Sequence, residues 1–484
     1  MMSIKTSAFL ICLLSPCGYH MRTSQIKPFV LSLSKHEWLD LTWIFNPSIL
    51  RQAQDERIKN QWVGRCAHAV APYGRGLGRA TAAALCFIAL LAPFAACAET
   101  ALSGFVQQNT AFNTVASNPD GPHYKWLEER VQLKLDASEG AWRLLAKGDL
   151  ALDHLGRRDE SELREGYLDY SGGNWDLRIG RQVITWGLGD LVFVNDVFPK
   201  DYEALFAGRP LEYLKRGTDA LKLGAYPDFA SFELVAAPNF RPSRTPDPGR
   251  FRLYDPMPGV ANRETDTPGG GEWGLRIYRD VAGWDAALYL YHGFQRTPSM
   301  RSDSMTMPTK ITYFYPELSL YGASLSGRVG EGVLSLEAAY YDSRQDQTGA
   351  DFTVPNSQTR LLAGYQIQPV EDLSLGLQYY AEHMHDYPAY RAALPAGFPV
   401  DDRLNHTVTL RVTQLLMHQT LRLSAYAAHN ANTGDQFINP EARYSFTDRV
   451  WGAVGANLFS GKPWGQFGQL SNDDNVYLQM RYEF

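Results

Sequence analysis

From residue 99 onward, apolar and polar side chains alternate with a period of two, in segments separated by turn-forming stretches. A period of two places one set of side chains on one face of a strand and the other set on the opposite face. The pattern predicts eighteen strands, over 102–112, 128–136, 142–153, 163–170, 175–184, 219–226, 231–237, 272–279, 284–294, 317–328, 333–342, 358–367, 373–383, 403–413, 420–429, 436–446, 450–459 and 476–484. Most of them have the roughly nine to eleven residues that a tilted strand needs to cross a bilayer. An even number returns both ends of the sheet to one side of the membrane.

The connections carry a second regularity. Short turns rich in Gly, Asn and Asp, such as Ser138-Glu139-Gly140, Ser171-Gly172-Gly173-Asn174 and Gly330-Glu331-Gly332, alternate with mostly longer connections that include 185–218, 238–271, 295–316, 384–402 and 460–475. Gly, Asn and Asp suit tight hairpins because they tolerate positive φ. Short turns at one end and long loops at the other are expected of a transmembrane barrel, whereas a soluble sandwich has no reason to segregate them. Trp142, Trp175 and Trp284 each follow a short turn, in phase with apolar neighbours. Indole rings at one height on a lipid-facing surface form an interfacial belt. The last strand ends on Tyr482 and Phe484, which resembles the terminal assembly signal of outer-membrane barrels. A sheet in hydrocarbon must have no free edge, so this strand is expected to pair with the first, near residues 104–112. The fold class is therefore all-β: a transmembrane antiparallel β-barrel of about 18 strands, with short periplasmic turns and long extracellular loops.

Composition narrows the picture. No long apolar run follows residue 100, which excludes a helical membrane protein there. The five cysteines, Cys12, Cys17, Cys66, Cys86 and Cys97, all precede Glu99, so neither a disulfide framework nor a thiolate metal site is expected beyond it. Within 74–98, Arg75 and Arg79 precede an apolar run and the small-residue sequence Ala96-Cys97-Ala98, which reads as a secretory signal. Residues 1–73 lack periodicity and are expected to be a non-structural extension or a mis-assigned start, leaving 99–484 as the barrel. Residues 1–98 hold ten of the 46 Lys and Arg and four of the 52 Asp and Glu, so the barrel carries 36 basic and 48 acidic residues, a net charge of −12. Nucleic acid is excluded as a partner on that balance. The expected partners are outer-membrane lipid and lipopolysaccharide, the barrel-assembly machinery and a hydrophilic solute.

With the apolar phase facing lipid, the other phase lines the lumen. Its expected pore-lining cations are Arg143, Lys147, Arg178, Lys222, Arg276, Arg360, Arg411, Arg422, Arg443 and Arg481, with Arg130 and Lys134 in the same phase. Acids share it, among them Asp136, Asp149, Glu165, Asp169, Asp176, Glu233, Glu337, Glu382, Glu441 and Glu483. The lumen is thus expected to be charged and wet rather than packed. Two uses remain open for the arginines: rings that attract anions, or pairing with neighbouring acids to stabilise the wall. The connection at 185–217 is too long to be plain loop. Helical turns are expected at 201–205 and 210–215, and Gly187, Gly189 and Gly208 permit reversals that fold it inward as a constriction carrying Asp190, Asp196, Lys200, Asp201 and Arg209. Residues 238–271, with their PDPG and PGGG stretches, are expected to be mobile and external.

The run GRQVITWG at 180–187, Asn195-Asp196-Val197-Phe198-Pro199-Lys200-Asp201, and the closing Gly455-Ala456-Asn457-Leu458-Phe459 with Phe467-Gly468-Gln469 and 475–484 resemble the alginate-export type of outer-membrane porin. That resemblance implies an eighteen-stranded barrel passing anionic polysaccharide through an arginine-rich lumen, although the near balance of inward acids departs from a strongly cationic pore. The expected function is passive transport of small or polymeric hydrophilic solutes, anions being the sharper case, with no enzymatic activity, cofactor or metal. The alternatives are a barrel scaffold for an envelope export or electron-transfer complex, and an outer-membrane enzyme. The chain has no G-x-S-x-G, H-E-x-x-H or P-loop motif, and His292 and His406 fall in the lipid-side phase. No amino-terminal plug domain is expected, because alternation begins within about ten residues of Glu99.

Overall fold

The computed structural model describes residues 99–114, 123–155 and 159–484. The expected signal at 74–98 and the extension at 1–73 lie outside the described residues. The strands are β1 (Glu99–Asn113), β2 (Tyr124–Glu139), β3 (Trp142–Asp153), β4 (Glu160–Ser171), β5 (Trp175–Gln182), β6 (Thr218–Ala225), β7 (Ser231–Ala237), β8 (Asn262–Asp266), β9 (Glu272–Val281), β10 (Trp284–Phe294), β11 (Ser299–Ser302), β12 (Lys310–Phe314), β13 (Glu317–Val329), β14 (Gly332–Ser343), β15 (Gln358–Val370), β16 (Leu373–Met384), β17 (Leu404–Leu416), β18 (Leu421–Asn430), β19 (Gln436–Ser445), β20 (Val450–Ser460) and β21 (Asn475–Glu483). All but β8, β11 and β12 belong to one 18-stranded sheet, and each predicted segment corresponds to one of its strands. The remaining three form a separate small sheet in the long connections, where the chain shows no sustained alternation to announce them.

The ring closes through antiparallel pairing of β1 with β21, from Phe105 opposite Glu483 to Asn113 opposite Asn475. Gly104 and Phe484 complete this ladder, exchanging backbone hydrogen bonds of 3.0 and 2.9 Å. A Cβ at Gly104 would crowd the Phe484 ring and the Gln132 carbonyl, so the seam accepts only glycine there without a shift. Short hairpin turns gather at one end of the sheet. Their positive φ values fall on Gly140, Gly173, Gly283 and Gly330, but also on Ala282, Asp372 and the run Met417-His418-Gln419.

Burial is inverted relative to a soluble protein. Leu150, Ile179, Leu288, Leu361, Leu377, Leu478 and Met480 lie exposed on the outer surface, while Gln107, Glu128, Arg130, Gln132, Asp149, Glu337 and Gln479 are buried on the inner one. A closed ladder clad in aliphatic side chains satisfies every spanning amide and leaves hydrocarbon in contact only with apolar groups. At the short-turn end Trp142 and Trp175 flank Tyr170, with ring centroids 4.7 and 5.0 Å from it.

Three departures have identifiable causes. A β-bulge opposite Lys147 and Gly148 turns Arg164 and Glu165 inward in succession, which shifts the phase of β4 and hides its first residues, Glu160 and Glu162, from a strict alternation count. Residues 238–271 are external only in part: 261–271 are largely exposed, but Phe240, Arg250, Phe251 and Val260 are buried, and the turn at 247–250 that PDPG forms sends Arg250 and Phe251 onto β2. Pro and Gly there mark where the chain reverses, not where it lacks order. The connection 384–402 contains a short helix, Tyr387–Ala393, that was not foreseen.

Candidate functional site

The lumen is occupied by the connection between β5 and β6, residues 183–217. It contains a helix α1 (Tyr202–Phe206), capped by the Asp201 carboxylate accepting from the Ala204 amide at 2.8 Å, and a 3₁₀ turn at Leu211–Tyr213. Its contacts reach opposite sides of the ring. On β14 the Glu337 carboxylate accepts from the amides of Leu188 and Gly189 at 2.6 and 2.7 Å and from Asn195 Nδ2 at 2.7 Å. On β2, Glu128 is paired with Arg209. In the circuit of pairings β2 is the second stave and β14 the eleventh, half a turn apart. Between these anchors Arg411 pairs with Asp190, Trp186 Nε1 donates to Glu233 at 2.6 Å, and Asn457 and Asn475 donate to the Phe206 carbonyl at 3.0 and 3.1 Å. The segment therefore crosses the lumen.

Its packing corrects one expectation. The interior is charged, but it also holds two apolar clusters. One gathers Trp186, Val194, Val197 and Phe198 with Tyr289, Leu318, Leu320 and Leu362 from the wall. The other gathers Phe206 and Phe251 with Trp126, Tyr426, Phe437, Phe459 and Tyr477. The inward phase of these strands is apolar where the crossing segment covers it, and burial of that surface holds the segment in place.

Most expected pore-lining cations are paired. Arg143 meets Asp136 at 2.7 Å, Arg178 meets Asp169 at 2.5 Å, Lys222 meets Glu233 at 3.5 Å, Arg360 meets Glu382 at 3.1 Å, Arg422 meets Glu441 at 2.8 Å and Arg481 meets Glu212 at 2.6 Å. Among the described residues Lys147, Arg276 and Arg443 have no ion-pair partner. Arg276 and Arg443 lie over the rings of Tyr278 and Trp451, at 4.3 and 3.8 Å. In the crossing segment, Asp196 and Lys200 form a buried pair at 2.9 Å, and burial pushes the Lys200 ammonium down from its ordinary value against the pull of Asp196. Asp201, besides capping α1, meets Arg244 at 3.2 Å. These three residues hold the segment together, while Asp190 and Arg209 bind it to the wall.

A network that was not foreseen joins the segment and the 238–271 connection to β2, β3 and β4. Arg130 touches Glu128, Asp149 and Glu160. Glu162 meets Arg241 at 2.5 Å, Glu160 meets Arg244 at 3.0 Å, and the Arg164 guanidinium lies over Tyr213. A cavity lined by Arg130, Glu160, Glu162, Arg164, Arg209 and Tyr213 lies within it. The alternation of Glu160, Glu162 and Arg164 was the available signal, masked by the bulge.

A closed eighteen-stranded ring with an aliphatic exterior and a polar, partly filled interior defines a porin-like outer-membrane β-barrel. The chain belongs to the family described as protein of unknown function DUF1302, which matches residues 149–461. Among solved structures, Pseudomonas aeruginosa OccD3 (OpdP) is similar at 10% identity and a TM-score of 0.50, over 80% of this chain and 91% of its own. P. aeruginosa OccK2 (OpdF), solved in complex with glucuronate, is similar at 12% identity and a TM-score of 0.50, over 80% and 98% of the two chains. At these identities the likeness is one of fold. No curated protein matches the sequence.

Proposed function

We propose that the protein is a channel for passive transport of small hydrophilic solutes across the outer membrane, with 183–217 as its constriction. The observation that carries this reading is the inner surface. Charged and amide side chains cover strands whose outer faces are aliphatic, an arrangement useful only if water and solute reach the inside. The preferred solutes are anions bearing carboxylates. Among the described residues Lys147, Arg276 and Arg443 form no ion pair with an acid, and a uronate of the kind bound in OccK2 fits both such a lumen and the alginate-export resemblance. The pairing of the other arginines favours small anions over a polyanion, because a polymer needs a continuous unpaired ladder. In this reading the short turns face the periplasm, and Tyr482 and Phe484 present the strand that the assembly machinery recognises.

Planar-bilayer recording tests it. Under a potassium chloride gradient the purified protein should conduct with a reversal potential on the chloride side. Absence of conductance, or cation preference, contradicts the proposal.

A further inference from the structure

The contact between Glu337 and the crossing segment has the form of a ligand in a receptor. Glu337 is 4% exposed, yet no Lys, Arg or His among the described residues forms an ion pair with it. Hydrogen-bond donors alone hold its charge. Oε1 accepts from the amides of Leu188 and Gly189, and Oε2 from the Asn195 amide at 3.3 Å and from Asn195 Nδ2. Two donors per oxygen match a planar carboxylate and fit a spherical halide poorly. The backbone is shaped for this purpose. Gly187 has φ +78°, and a Cβ there would strike the Glu337 carboxylate, so the glycine that ends GRQVITWG gives the anion room to approach. Leu191 holds the left-handed region at φ +58°, a strained state for a leucine that closes the far side of the loop. Asp190, inside the same loop, is fastened separately to Arg411, and its amide donates to Gln378 at 3.2 Å.

We propose that residues 187–195 form a carboxylate-binding nest, that the wall residue Glu337 fills it as an internal ligand and so latches the segment across the lumen, and that free carboxylates compete for the same donors. The inference rests on the channel reading and names the solute group that would operate it. A tethered carboxylate has an effective concentration in the millimolar range or above, so the resting state is the latched one.

Competition by a free carboxylate tests the latch. Wild type, Glu337→Ala and Glu337→Gln are compared in planar bilayers in potassium chloride, with potassium acetate then substituted at constant ionic strength. Glu337→Ala should raise the mean current several-fold in chloride, whereas acetate, by displacing the tethered Glu337 carboxylate, should raise the wild-type current towards that level and leave Glu337→Ala little changed. Glu337→Gln, which keeps one acceptor oxygen, should fall between them. Asn195→Ala, which removes one donor and no charge, should give a smaller rise with intermediate acetate sensitivity, and it serves if Glu337→Ala fails to assemble. Wild-type current in both Glu337→Ala and Asn195→Ala overturns the latch and leaves the channel reading standing. A wild-type current that acetate does not raise, or an equal rise with acetate in Glu337→Ala, overturns the nest. Absence of current from every variant and from wild type removes the channel reading and the latch together.

Discussion

At the residue scale, the interior is held by charges that water has largely left. Arg209 and Glu128 are both almost fully buried, with Arg130 as a second partner for Glu128. Removing one member of such a pair strands the other, at a cost of about 3–5 kcal/mol, reduced here by Arg130. Arg209→Ala should therefore lower the temperature at which the folded barrel unfolds on heat-modification gels, and adding Glu128→Gln should recover part of the loss. An unchanged midpoint would show that the pair contributes nothing. Glu203 supplies a pH dependence. Burial, and then the neighbouring Asp201, push its carboxyl up to about 7 from an ordinary 4.5, while it accepts the Asp247 amide at 3.0 Å. The folded chain then binds more protons than the unfolded one between pH 4.5 and 7, so stability falls as pH rises through that window and is level above it. Glu203→Gln should raise the unfolding midpoint at pH 8 and change it little at pH 4.5; an equal shift at both would rule out titration of this group. None of this was legible in the sequence. Glu203 lies in a connection without periodicity, and its neighbours come from residues 201–250, brought together only by the fold.

At the scale of elements, all eighteen barrel strands could be read from alternation because each is solvated by lipid on one face and by polar groups on the other. The same rule failed wherever that condition failed. The bulge at Arg164 and Glu165 breaks the phase of β4, and β8, β11 and β12 lie outside the barrel sheet. Pro440 interrupts β19 without ending it. It has no amide to donate, and Asn439 Nδ2 reaches the Ala456 carbonyl at 2.9 Å instead. The crossing segment was legible in outline, since its length and glycines point to an ordered loop and its helical turns fall near the expected positions. Its partners were not, because the inward apolar residues Leu318, Leu320 and Leu362 look like ordinary exceptions to the alternation until the segment covers them. The seam gives the prediction at this scale. Phe484 closes the ladder with Gly104, so deleting it removes two backbone hydrogen bonds and the ring above the glycine. Outer-membrane abundance and the heat-modifiable form should both fall, with export unchanged; normal amounts of folded truncation would refute a role for Phe484 in assembly.

At the scale of the molecule, one arrangement underlies the account: a cylinder whose alternate side chains meet hydrocarbon outside and a polar, crossed lumen within. The candidate site follows from it, because only a closed wall makes 183–217 a segment that crosses a lumen rather than a surface loop. Every cysteine lies ahead of Glu99, so in a chain that begins at Glu99 single cysteines can be introduced into the barrel without competing thiols. The most direct test is a spin-label scan along β10 in lipid vesicles, at Ala286, Leu288 and Leu290 against Ala287, Tyr289 and Tyr291. The account predicts collision with lipid-soluble oxygen at the first three positions and low oxygen accessibility at the second three, alternating residue by residue. Oxygen accessibility that varies smoothly along the strand, or in the opposite phase, would contradict it.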